Sequence, residues 1–196
     1  LPLTGTESVT GSESRLETGE LHAADKADPH NQQAFTVCLA VDYRADQDHT
    51  IERPDDYDFW RSYSPQLSPP WPGRLLDFAY THPRSGKPKT LGFHPTQATP
   101  PGVLNLWHYR RIAEARQFTT GSYASDLSIL NWPQNDYLLG NLVGVTPQER
   151  QHHLQRAKQL SLSLLYWLQT EAPRDDGGQG FPGLRLRPDV MGTEDG

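Results

Sequence analysis

The run Asn131-Trp132-Pro133-Gln134-Asn135-Asp136-Tyr137 gathers amides, a carboxylate and two aromatic rings around one proline. Proline presets a turn. A strand end entering such a turn can aim hydrogen-bonding groups and a stacking ring into a cleft. Asn131, Trp132, Asn135, Asp136 and Tyr137 are therefore candidates for a substrate cleft. The same residues would also make an Asx-stabilised turn with Trp132 in the core, and spacing alone leaves both readings open.

Other patterns fail on context. Gly178-Gln179-Gly180-Phe181-Pro182-Gly183 spells G-x-G-x-x-G, but a dinucleotide cradle needs a strand before it and a helix after it. Here a helix precedes, Pro182 removes a donor, and Leu184-Arg185-Leu186-Arg187 reads as a strand, so a Gly-rich turn is expected. Adjacent His152 and His153 cannot share one helix face as a metal pair would, and a solvated face suits them. No metal site is expected, and no catalytic residue is assigned. Cys38 has no basic neighbour in sequence to lower its pKa and reads as a packing residue. The carboxylates Asp55, Asp56 and Asp58, with Glu194 and Asp195, leave a two-carboxylate hydrolase as a third-ranked reading.

The elements that must position the turn follow from periodicity. Ala34 to Tyr43 alternates, with Phe35, Val37, Leu39, Val41 and Tyr43 on one face, and predicts a strand with one apolar side. Glu7 to Glu20 suits a hairpin, Leu21 to Gln33 a polar connection, and Leu104 to Ile112 and Asp126 to Trp132 suit strands. Thr146-Pro147-Gln148-Glu149 is a capping box with proline at the first helical position. Leu154, Ala157, Leu164 and Leu168 then keep helical spacing until Ala172-Pro173. Between Asp46 and Pro101, prolines interleave with Tyr57, Phe59, Trp60, Tyr63 and Trp71, which predicts a long loop around one short strand at Arg74 to Thr81. The fold class is thus α+β: a mixed, mainly antiparallel sheet covered by one long amphipathic helix, with long Pro- and aromatic-rich loops.

Composition narrows the function. The chain has 196 residues with a net charge of −6 and no Lys/Arg-rich patch, which argues against nucleic acid as a partner. No run approaches the roughly 18 apolar residues of a membrane span, so a soluble chain without a membrane partner or visible targeting segment is expected; its compartment stays open. The 35% hydrophobic fraction, with 16 Gly and 17 Pro, lies below the roughly 45–50% of ordinary domains and implies a thin core. Leu1 to Gly5 spells a sortase sorting signal but lacks the apolar tail such a signal needs. Both ends read as cut from a longer protein.

Five stretches carry a resemblance. Asp126 to Tyr137, Leu106-Trp107-His108-Tyr109-Arg110-Arg111-Ile112, Ala157 to Glu171, and the tail Gly192-Thr193-Glu194-Asp195-Gly196, with the opening Leu1 to Glu7, resemble the middle of bacterial FAD-dependent oxidoreductases of the glutathione-reductase-like superfamily. The resemblance implies that residues 1–196 are the substrate-side segment of a flavoenzyme, an incomplete part of a larger FAD-binding fold that lacks the Rossmann unit. It implies hydride transfer from an organic small-molecule substrate to FAD. The cofactor would be held by the missing FAD-binding domain of the same protein, no cofactor-binding residue falls in this chain, and the segment alone would be inactive. The alternative is a stand-alone binding module whose aromatic loop stacks on sugars or peptides.

Overall fold

The computed structural model describes residues 4–194. Leu1, Pro2 and Leu3 of the opening run, and Asp195 and Gly196 of the tail and of the acidic pair, lie outside the described residues. The chain is α+β, with antiparallel sheets and one long helix. It divides into two compact units, residues 1–35 with 137–156 and residues 36–136 with 157–196.

The second unit holds the main sheet, in the order β5 (Arg111–Ala113), β6 (Leu127–Leu130), β2 (Leu39–Tyr43), β8 (Leu184–Leu186). All its strand pairs are antiparallel, with Ala40 opposite Ile129 and Asp42 opposite Arg185. The expected strand from Ala34 to Tyr43 is broken: β1 (Phe35–Thr36) pairs with β7 (Asp136–Tyr137), and β2 starts only at Leu39. The single apolar face is also corrected. Ala40 and Asp42 are as buried as Leu39 and Val41, because β2 is a central strand covered on both sides and the charge of Asp42 is matched within the sheet.

The Pro-rich stretch contains more structure than its prolines suggest. α2 (Tyr57–Ser62) buries Tyr57 and Trp60, and β3 (Ala79–Thr81) pairs with β4 (Pro88–Thr90). Leu104 to Ile112 is not a strand. The Asn105 side chain accepts from the Trp107 N–H at 3.0 Å and starts α3 (Leu106–Tyr109), with β5 following. Asx capping overrides the β-leaning composition there.

Helix α4 (Pro147–Thr170) begins as the capping box predicts: the Glu149 carboxylate accepts from the Thr146 N–H at 2.8 Å, and the Thr146 hydroxyl accepts from the Glu149 N–H at 3.2 Å. Within the second unit its buried residues include Ala157, Leu160, Leu164, Leu165, Trp167 and Leu168. Gln169, 2% exposed, donates to the carbonyls of His49 and Leu184, both at 2.8 Å, and accepts from the Ile51 N–H at 3.0 Å. One carboxamide thereby ties the helix to β8 and to the loop before α2. Phe93 centres the aromatic core, 4.9 Å from Phe181, 5.7 Å from Trp132 and 6.0 Å from Trp107 between ring centroids. α5 (Pro188–Met191) follows β8.

In the first unit the predicted hairpin between Glu7 and Glu20 is absent. Ser14 caps the short α1 (Arg15–Thr18), and isolated bridges join Ser12 to Asp28 and Ser14 to Ala24. Val9, Leu16 and Leu21 stay 80% or more exposed, so a paired strand there would have no apolar face to bury. Tyr137 packs on Phe35 at 5.2 Å, and its hydroxyl shares a 3.0 Å hydrogen bond with His153 Nδ1. That bond corrects the fully solvated reading of His153, and Leu154 is exposed rather than part of the buried stripe.

Candidate functional site

The structure separates the turn residues by exposure. Trp132 is 1% exposed in the aromatic core, and Asn135 is fully buried. The Asn135 carbonyl oxygen accepts from the Trp132 N–H at 2.8 Å, and its amide donates to Leu130 O at 3.2 Å and Ser161 Oγ at 3.1 Å. Tyr137 is 1% exposed and belongs to the first unit. Of the three, Asn135 ties the turn through its own carboxamide, while Trp132 packs against Phe93 and Tyr137 against Phe35. Gln134, which sequence reasoning did not single out, is also buried, and among the described residues neither atom of its carboxamide has a partner.

Asn131 and Asp136 remain half-exposed, and they converge with residues from other elements. The Thr36 hydroxyl donates to Asp136 Oδ1 at 2.5 Å, the Cys38 thiol faces the Thr36 carbonyl at 4.0 Å with Asn131 nearby, and the charge of Arg110 bears on both Cys38 and Asp136. Burial pushes the Asp136 carboxyl above its ordinary value, only partly offset by Thr36 and Arg110. Burial likewise raises the Cys38 thiol against the pull of Asn131 and Arg110, so Cys38 is not a thiolate at neutral pH. The electrostatic partner that sequence could not supply is Arg110, at the end of α3, 72 positions downstream. The cluster thus offers a carboxylate of raised basicity, an amide, a hydroxyl and an exposed guanidinium within one half-buried patch.

A second polar constellation lies in the same unit. Buried His94 meets Asp175 at 3.1 Å between Nδ1 and Oδ2, beside a cavity of about 40 Å³, little more than one water's share of liquid volume. It is too small for an organic substrate. The exposed Asp175 and the loop at His94 read as a latch between two turns.

The Gly-rich run is a turn, as predicted, and does not fit a dinucleotide. A Cβ on Gly180 would lie 2.4 Å from Gln169 O and one on Gly183 2.2 Å from Arg44 O, and Gly180 has φ +72°. These glycines admit the protein's own backbone, and strand β8 follows instead of a helix. Among the described residues no group of three or more His, Cys, Asp or Glu is placed to hold a metal ion, and no helix is long and apolar enough to cross a membrane. Of the loop aromatics, Tyr57 and Trp60 are buried, whereas Phe59 is 42% exposed and stacks on Tyr63 at 5.6 Å. No family model, no curated protein and no solved structure matches the chain.

Proposed function

We propose that this chain is the substrate-side segment of an FAD-dependent oxidoreductase, with Asp136, Asn131 and Arg110 holding the reactive end of a small-molecule substrate. The resemblance of the stretches around Arg110 and Asp136 to flavoenzymes supports the class. The observation that carries the site is the convergence of a half-exposed carboxylate of raised pKa with an amide and a guanidinium. Since the Gly-rich turn does not cradle a dinucleotide, flavin would be bound by other parts of the protein. What these residues contribute is binding, orientation and a place for a proton. Thr36 occupies Asp136 Oδ1, which leaves Oδ2 to accept from a substrate hydroxyl. A raised pKa makes that oxygen a better general base near neutral pH.

Asp136→Asn in the full-length protein tests this reading. Turnover should fall about 100-fold, the usual range for losing a general base, with flavin content unchanged. Stability should move the other way. A raised folded pKa contributes stability that is complete below the ordinary carboxylate range and is lost as pH rises through the folded value. Asn carries no such loss, so near pH 7 the melting temperature of the variant should equal or exceed that of the parent. Unchanged turnover, or lower stability with normal turnover per folded molecule, would make the cluster scaffold.

A further inference from the structure

Beside this cluster lies an apolar groove of about 240 Å³, floored by Leu91 and Leu106, walled by Tyr80, Leu104 and Tyr109, and reaching Pro133. Leu91 and Leu106 are buried, while Leu104 and Tyr109 are 38% and 45% exposed, so the groove has a fixed floor and an open mouth. Apolar cavities of roughly 150 Å³ already take up benzene, and this one would hold a substituted ring.

Two observations join the groove to the polar cluster. Pro133 lies in the turn between Asn131 and Asp136, so the groove ends where the cluster begins. The Arg110 guanidinium sits 4.8 Å from the Tyr109 ring centroid while its charge acts on Asp136 and Cys38. It therefore stands at the seam. Among the described residues Arg110 has no carboxylate within ion-pairing distance, and an anionic group at the groove mouth would meet it. Guanidinium pairs best with carboxylate, and Asp136 calls for a donor such as a hydroxyl.

We propose, resting on the function proposed above, that the substrate class is a small aromatic hydroxy acid. The ring enters the groove against Leu104, Leu106 and Tyr109, the carboxylate faces Arg110, and the hydroxyl donates to Asp136. Recognition is split between an apolar body and a polar head, and either half alone binds more weakly.

Cys38, the single cysteine of the chain, sits in the polar half and reports occupancy. Alkylation of Cys38 by iodoacetamide, read by peptide mass spectrometry on the 196-residue chain and again on the full-length protein, should slow when 3-phenyllactate is present. Lactate, which lacks the ring, and 3-phenylpropanol, which lacks the carboxylate, should each need about tenfold more ligand for the same protection, as expected when a buried contact is forfeited. Leu104→Asp, at an exposed position, should abolish protection by phenyllactate without lowering the melting temperature. Equal protection by lactate, or protection that survives Leu104→Asp, overturns the groove assignment; so does absence of protection in both forms of the protein. Protection by phenyllactate without flavin reduction would leave the groove standing and sink the oxidoreductase reading. Flavin reduction by other alcohols without Cys38 protection would do the reverse.

Discussion

At the scale of single residues, the clearest lesson is how burial and charge are matched at Asp42. It is 1% exposed, yet Arg44, Arg185 and Arg187 reach its carboxylate at 3.0, 2.7 and 3.0 Å. Burial alone would raise its pKa; the Arg185 and Arg44 guanidinia outweigh that and hold it below the ordinary value. A depressed folded pKa gives stability that is present above the unfolded value and lost as pH falls through the folded one. Asp42→Asn should therefore cost roughly 3 kcal/mol near neutral pH, as breaking a buried pair does. The difference from the parent should shrink as pH drops below the ordinary carboxylate range, measured by urea melts across the acid limb. A constant difference at all pH values would mean that packing, not charge, is lost. In sequence Asp42 is one polar letter in an alternating strand. Its partners Arg185 and Arg187 lie 143 and 145 positions away, so the pairing is invisible until β8 docks beside β2.

At the scale of elements, α4 was legible because its signals are local. A capping box works through atoms three residues apart, and the Thr146 and Glu149 bonds form as the spacing requires. Thr146→Ala should lower stability by about 1 kcal/mol, while Thr146→Ser should cost only a few tenths; a silent Thr146→Ala in thermal melts would show that the first turn does not contribute. The segment from Leu104 to Ile112 departs from its expected strand for the opposite reason. Its residues suit a strand, but Asn105 also accepts from the His94 N–H at 3.0 Å and donates to the His94 carbonyl at 3.0 Å. That tertiary clamp fixes the cap and with it the helix. The consequence is geometric: the helix places Tyr109 at the groove and Arg110 over the Tyr109 ring.

At the scale of the whole molecule, the glycine pattern yields a direct expectation. Its glycines make room for Gln169 and Arg44 backbone rather than for phosphate, so the purified 196-residue chain should emerge colourless from gel filtration after incubation with FAD. Stoichiometric yellow protein would refute both the turn reading and the assignment of flavin to other segments. The sequence alone determined what depends on neighbours: the α4 cap, a strand within Asp126 to Trp132, the Gly-rich turn, and the α+β class with its antiparallel sheet. Tertiary structure alone decided what depends on distant partners. It buried Trp132 and Asn135, sent Tyr137 to the first unit, and left Asn131 and Asp136 half-exposed beside Cys38 and Arg110. The physical reason is that helix capping and turn geometry are settled over a few bonds, whereas burial and pKa are properties of whatever other elements arrive to exclude water.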